Sequence, residues 1–196
     1  MKELIFFSYN QHKINEIKKI LENTKLKILT LNDFPKIDEP KENEDTFTKN
    51  AIIKSNFGFK KFNIPCFSDD SGICISVLNN KPGVRSKRFQ EENGGFKKTF
   101  ELIINEAERK KNYDAFFQTT VALTIKKNIT TCFEGIVRGK ISNKPLGLHG
   151  FHYDPIFIPD NANKTYAQMS TKEKNQISHR AIAMNKLKKF LEKSFN

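Results

Sequence analysis

The chain of 196 residues has no apolar run approaching the roughly 20 residues that span a bilayer, and its mean hydropathy is -0.58. A membrane protein is excluded and a soluble chain is expected. The apolar stretch near the N-terminus, Leu4 to Phe7, falls short of the about 7 to 15 residues of a signal-peptide core, so the expected location is the cytoplasm. Cysteine is scarce. Cys66, Cys74 and Cys132 form neither a C-x-x-C pair nor a zinc ribbon, and are expected to be buried thiols in a reducing compartment. The four histidines, His12, His149, His152 and His179, add no zinc spacing either. Arginine is rare too: five of the 34 basic residues, against 29 lysines. The net charge of +12 invites a nucleic-acid reading, but the lysines are scattered among Asn, Ile and Phe, which suits a solvated surface better than a polynucleotide stripe. A polyanionic small substrate such as a nucleotide fits the same charge. Repeats, low-complexity tracts and linkers are absent, so residues 1–196 are expected to form a single domain with a real core.

The apolar run Leu4–Phe7 reads as a buried strand, followed by the polar turn Ser8-Tyr9-Asn10 and a helix with Ile14, Ile17, Ile20 and Leu21 on one face, leaving Lys13, Glu16, Lys18 and Lys19 to the rest. Leu26 to Leu31 is a second apolar stretch. Thr46 to Lys61 reads as a helix with Phe47, Ala51 and Ile52 inward, preceded by Glu42, Glu44 and Asp45, whose placement also suits the helix dipole. Pro65 to Ser68 reads as a strand ending at Asp69-Asp70-Ser71-Gly72, with Ile73 to Leu78 leaving as another. A helix follows Gly94-Gly95, a hairpin spans Ala115–Ile125 and Ile129–Val137, Gly147–Asp160 is a loop, and Ser178 to Ser194 is an amphipathic helix. The class is α/β or α+β with a mixed sheet.

Four polar clusters interrupt this pattern. Ser8-Tyr9-Asn10 with Lys13, where a strand feeds a helix, suits phosphate, or is a turn capped by Asn10. Thr46, Asn50 and Lys54 share a helix face with Glu42 nearby, which a solvated face explains equally well. In Ser68-Asp69-Asp70-Ser71-Gly72, two adjacent carboxylates repel unless a cation or shared proton offsets them; magnesium with phosphate oxygens is the natural complement, and an ordinary turn is the alternative. Gly150-Phe151-His152-Tyr153-Asp154-Pro155, with Lys174, Ser178, His179 and Arg180 further on, offers an aromatic ring to stack on a base, Asp154 to accept from it, and donors to oxygens; a folded loop with a helix cap at Ser178 is the alternative.

In sequence order these clusters resemble the inosine triphosphate pyrophosphatase family, the non-standard purine nucleoside triphosphate pyrophosphatases. The similarity runs from Leu4 to Leu191: N-x-x-K at Asn10 and Lys13, T-F-x-x-N-A-x-x-K from Thr46 to Lys54, D-D-S-G from Asp69 to Gly72, P-G-V at Pro82 to Val84 with Ser86 and Arg88, G-F-x-Y-D-P-I-F from Gly150 to Phe157, and I-S-H-R from Ile177 to Arg180. Each motif is weak alone; six in one order are specific. The pattern is departed from at Tyr9, Glu44 and His152, where glycine is usual, at Arg85 and Lys87, and at Phe116, where arginine is common.

The resemblance implies an elongated α/β fold whose mixed sheet, flanked by helices, bends around a central nucleotide-binding cleft between two lobes, usually as a homodimer. It implies hydrolysis of ITP, dITP and XTP to monophosphate and pyrophosphate, keeping these nucleotides out of DNA and RNA, with no stable nucleic-acid or membrane partner. By position, Ser8, Asn10 and Lys13 would hold the triphosphate, with Tyr9 and Lys54 as further substrate-binding residues. Glu42 and Asp70 would bind Mg2+, with Asp69 as a further candidate, and Asp70 would accept the proton. Ser71, Phe151, His152, Tyr153, Asp154, Lys174, His179 and Arg180 would contact the nucleotide, with His179 and Arg180 facing the keto edge of the base. A basic nucleic-acid-binding protein, or an inactive relative that only binds nucleotide, is the other reading; magnesium-dependent pyrophosphate release from ITP separates them.

Overall fold

The computed structural model describes residues 2–22 and 24–195. A first strand, β1 (Lys2–Phe6), leads to helix α1 (Gln11–Ile20), strand β2 (Leu26–Thr30) and helix α2 (Phe47–Phe62). Then come β3 (Cys66–Ile75), the short β4 (Lys81–Pro82), α3 (Ser86–Glu92), α4 (Phe96–Lys110), β5 (Asp114–Lys126), β6 (Ile129–Ile141), β7 (Phe157–Pro159), α5 (Thr171–Ile177) and α6 (His179–Phe195). The strands form one mixed sheet in the order β2-β1-β3-β5-β6-β7, with β4 paired to β3. Strand β1 is parallel to both β2 and β3, while β4 and β7 run antiparallel to their partners. The mixed α/β architecture expected from the sequence is the one observed.

Local physics accounts for the elements. Leu4, Ile5, Phe6 and Phe7 are all fully buried, as an interior parallel strand requires, because both of its faces are covered. Helix α1 starts where Asn10 caps it, its Oδ1 accepting from the N–H groups of His12 (3.0 Å) and Lys13 (3.2 Å). Helix α2 starts at Thr46, whose Oγ1 accepts from the N–H of Lys49 at 3.3 Å, and ends at Asn63 in the left-handed region.

The chain divides into two compact units, Met1–Asp70 with Thr119–Gly135 and Arg180–Asn196, and Ser71–Gln118 with Ile136–His179. In the first, β1 and β3 lie against α1 and α6 through Leu4, Phe6, Ile14, Ile17, Phe67, Met184 and Leu187. A second cluster in that unit joins Ile5, Phe7, Leu31 and Cys66 to the rings of Tyr9, Phe34 and Phe59. The core of the second unit centres on Ile73, Ile75, Phe100, Ile103, Phe117, Tyr153, Phe157 and Tyr166.

Several expectations from the sequence are corrected. Asp69-Asp70-Ser71-Gly72 is not a break between two strands: β3 runs straight through it, and the chain leaves the strand only for a single 3-10 turn at Ser76–Leu78. Gly72 lets the strand pass, since a Cβ there would run into the Gly83 carbonyl and the Ser86 hydroxyl. Glu16 is buried rather than solvated, and Ile52 is only half-buried while Asn50 and Lys54 face inward. Helices α3 and α5 have no counterpart among the elements expected from the sequence. Yet Ser170 and Glu173, the capping box that opens α5, were legible as S-x-x-E. Ser178 ends α5 and stands immediately before α6, in the capping position its sequence offered, and the loop Gly147–Asp160 contains β7. Cys66 and Cys74 are buried as expected, burial pushing their thiols up, to about 11 for Cys74, whereas Cys132 is exposed.

Candidate active site

The adjacent carboxylates of β3 sit in the first unit with three cations, Lys54 and Arg180 buried and Lys13 half-buried. Lys13, from the first turn of α1, places Nζ 3.1 Å from Asp69 Oδ1, and Arg180, at the start of α6, places Nε 3.2 Å from Asp69 Oδ2. Arg180 Nη1 also donates to Glu16 of α1. Lys54, from the inward face of α2, donates to Glu42 Oε2 (2.8 Å) and to the Asp69 carbonyl (2.7 Å). The neighbouring Asn50 donates through Nδ2 to Asp70 Oδ2 and to the Glu44 carbonyl, both at 3.1 Å, and its Oδ1 accepts from the Glu44 N–H. Thr119 of β5 donates to the Asp70 carbonyl at 3.1 Å. The Thr46-Asn50-Lys54 face of α2 is therefore no solvated surface at Asn50 and Lys54.

This environment drives the two carboxylates apart. Burial alone would raise both. At Asp69 the charges of Lys13, Arg180 and Lys54 outweigh burial and hold the carboxyl well below the usual range, so it is ionised at any ordinary pH. At Asp70 burial wins, helped by the charge of Glu42 and only partly offset by Lys54, Lys13 and Asn50, and the carboxyl is pushed up to about 6. A pair of titratable groups whose surroundings separate them in this way is the signature of divided acid–base roles. Burial lowers Lys13 despite Asp69, with Lys54 and Arg180 adding to the effect. Lys54 is raised: Asp70, Glu42 and Asp69 together overcome its burial.

Asp70 and Glu42 are the carboxylates suited to a hard cation. The charge of Glu42 makes ionisation of Asp70 more costly, which a divalent ion would relieve. Among the described residues no group of three His, Cys, Asp or Glu side chains gathers to hold a metal alone; two carboxylates suit a hard cation that completes its shell with water and phosphate. Asp69 does not fit as a ligand: both its oxygens face cations, and its place is as the anchor of Lys13 and Arg180.

The turn before α1 carries the Asn10 cap that its sequence offered as an alternative. Asn10 spends Oδ1 on its cap, and Ser8 Oγ accepts from the Asn10 N–H at 3.1 Å. Tyr9 turns its ring into the apolar cluster of β1 and its hydroxyl to the backbone of Ile37. These contacts use acceptor atoms, so the Ser8 hydroxyl and the Asn10 Nδ2 donors remain for phosphate beside Lys13 and the backbone of the turn.

In the second unit the loop after Gly150 is built around Asp154. Its Oδ2 accepts from the Phe151 N–H (2.8 Å) and from Lys174 Nζ (2.6 Å), and Gly150, in the left-handed region, has no room for a Cβ beside that carboxylate. Lys174 Nζ lies 4.6 Å from the centre of the Phe151 ring. His152, at φ 54°, stacks on Phe96 and meets Phe151 edge-on. His179 stacks on Phe117, the rings 4.7 Å apart and 9° from parallel. Ser71 is half-buried in β3.

Two expected substrate contacts are reassigned. Tyr153 is a core residue: its ring is 1% exposed and its hydroxyl donates to the Ser86 carbonyl at 2.8 Å. Arg180 pairs its guanidinium with Asp69 and Glu16 rather than presenting it to a keto oxygen, so it is a positioning residue. Asn50, Glu16 and Thr119 join the site with no role expected of them from sequence. Asn50 lay inside a quoted motif, whereas Glu16 and Thr119 carry no local signal.

The model of the Ham1 family matches residues 4–190. A dITP/XTP pyrophosphatase of Porphyromonas gingivalis is 38% identical over 195 residues, covering 97% of this chain and 98% of that protein. One from Bacillus subtilis is 38% identical over 194 residues, covering 98% of each. Among solved structures, a HAM1 protein from Coxiella burnetii has a TM-score of 0.89 at 31% identity, covering 98% of this chain and 100% of that one. The Staphylococcus aureus Ham1 protein has a TM-score of 0.86 at 36% identity with the same coverage.

Proposed function

Because the chain belongs to the Ham1 family, we propose that it hydrolyses the non-standard purine nucleoside triphosphates dITP, XTP and ITP to the monophosphate and pyrophosphate. In this reading residues 1–196 act as one catalytic domain, in the cytoplasm and as a homodimer, and remove these nucleotides before they enter DNA or RNA. The observation that carries it is the divided pair on β3, Asp69 held ionised and Asp70 pushed up to about 6.

Attack of water on the α-phosphorus forms a P–O bond and breaks the bond to the bridging oxygen, whose electrons leave with pyrophosphate. Asp70 takes the proton from the attacking water, a role suited to a carboxyl raised toward neutrality. Magnesium, held by Asp70 and Glu42, would supply charge neutralisation at the phosphate oxygens and an acidified water. Lys13 and Lys54, anchored by Asp69 and Glu42, offer preorganised positive charge to the leaving group. Phe151 stacks on the base, and the donors of Lys174 and His179 favour a six-keto oxygen over the amine of adenine, which would leave buried donors unpaired.

Purified protein assayed for pyrophosphate release should act on ITP, dITP and XTP in preference to ATP, lose that activity in excess chelator and regain it with added magnesium. Equal rates on ITP and ATP, or full rates in chelator, would refute the substrate or the metal assignment respectively. Tight, steeply salt-dependent RNA binding with no hydrolysis would instead favour the nucleic-acid reading of the charge.

Phe151→Ala should weaken ITP and ATP alike, by the roughly 1 to 3 kcal/mol of a stacked base, because every purine presents the same π-face. KM values measured for both nucleotides check this; a change confined to ITP would show that Phe151 reads the base edge.

A further inference from the structure

We propose that Tyr9 is a positioning residue that straps the Glu42-bearing segment to the turn between β1 and α1; the proposal rests on the reading of Glu42 as a magnesium ligand given above. Tyr9 stands where glycine is usual in the family pattern, so its side chain is an addition to that pattern. Its hydroxyl donates to the Ile37 carbonyl (3.3 Å) and accepts from the Ile37 N–H (3.0 Å), across 28 residues of sequence. A hydroxyl is both donor and acceptor, so one atom satisfies both backbone groups of a single residue. The ring packs with Phe34 and Ile37 against the cluster of Ile5, Phe7, Leu31 and Cys66.

The strapped segment needs such an anchor. From residue 34 to 46 no helix or strand forms, and Pro35, Lys36, Asp38, Glu39 and Lys41 are exposed. An irregular, solvated stretch with few buried apolar contacts opens at low cost unless side chains hold it. Glu42 lies between two such holds. Tyr9 fixes Ile37 on its N-terminal side, and Asn50 fixes Glu44 on its C-terminal side through the Glu44 N–H and carbonyl. Asn50 is at the same time the donor to Asp70. Both ends of the segment are thus tied to elements that carry Lys13, Lys54 and Asp70, and Glu42 itself meets Lys54. Tyr9 acts on the reaction only through this placement, since its hydroxyl is committed to Ile37.

Tyr9→Phe keeps the ring and removes both hydrogen bonds, and Tyr9→Leu keeps apolar bulk without a hydroxyl. In metal-free protein, hydrogen–deuterium exchange of the amides of residues 36–43 should quicken by roughly five- to hundredfold in both variants, the range two part-buried hydrogen bonds represent, while β1 and α6 exchange as before. In the enzyme assay, the magnesium concentration giving half-maximal rate on ITP should rise by a larger factor than the limiting rate falls. Unchanged exchange at 36–43, or acceleration spread evenly over the chain, overturns the strap. A wild-type enzyme indifferent to chelator overturns the magnesium reading of Glu42 instead, and the exchange result on metal-free protein still decides whether Tyr9 holds the segment.

Discussion

Asp70→Asn is expected to lower kcat by roughly 10²- to 10⁴-fold, the contribution of a positioned acid–base group, while leaving the protein folded. The substitution keeps the shape of a side chain that is 7% exposed and deletes only its charge and basicity. Its effect on stability should have the opposite sign. The folded carboxyl is raised from 3.8 to about 6, so the folded state holds its proton more tightly than the unfolded chain. This favourable difference is fully present below pH about 4 and is lost as pH rises through about 6. Above that, the ionised Asp70 is a cost borne by the fold, and Asp70→Asn should melt higher than the parent at pH 8, as expected when a functional group is kept against the interest of stability. In the parent, kcat/KM should rise with pH along an acid limb at or below about 6, where Asp70 ionises, and that limb should vanish in the variant. Melting curves together with a pH–rate profile check all three outcomes. Near-full turnover at saturating magnesium, or a lower melting temperature at pH 8, would make Asp70 a structural residue.

Arg180→Ala should cost about 3 to 5 kcal/mol of stability, the price of breaking a buried ion pair by deleting one partner. Asp69 is left facing Lys13 with its Oδ2 stripped of the guanidinium, and Glu16, buried on α1, loses its contact with Nη1. At roughly 2 to 4 °C per kcal/mol for a chain of this size, the melting temperature should fall by about 6 to 20 °C. Arg180→Lys should recover part of this, because it returns the charge without the planar fork that reaches two carboxylates. Asp69 is a carboxyl depressed in the fold, so its contribution is present above its unfolded value of 3.8 and is lost as pH falls through the lower folded value. Removing Arg180 weakens that depression, and the gap between parent and variant should narrow on acidification. The ITP-to-ATP ratio of kcat/KM is expected to stay where it was, because the guanidinium serves carboxylates and not a base. A melting temperature within about 2 °C of the parent, or a collapsed ITP-to-ATP ratio, would return Arg180 to the substrate.

The sequence was sufficient for the elements whose signals are local. Buried Leu4 to Phe7, the Asn10 cap, the start of α2 at Thr46, the amphipathic stripes of α4 and α6 and the hairpin of β5 and β6 depend on periodicity and on side chains within a few residues of one another, and they appear where that periodicity places them. Six ordered motifs also marked the family, because spacing over a whole chain is information that a sequence carries without coordinates.

What each motif residue does was decided only in three dimensions. Asp69 and Asp70 are neighbours of identical chemistry, and nothing in D-D-S-G distinguishes them. Lys13, from 56 residues earlier, and Arg180, from 111 residues later, converge on the first and leave the second to burial. The same long-range cations explain why β3 continues where composition called for a turn, since local propensity yields once tertiary partners satisfy the polar groups. Glu16 looked solvated and is buried for the same reason, its partner lying 164 residues away. Charge compensation in a buried site acts through space over a few ångströms, and the chain separation of the groups that supply it is unconstrained, so sequence order alone does not contain it.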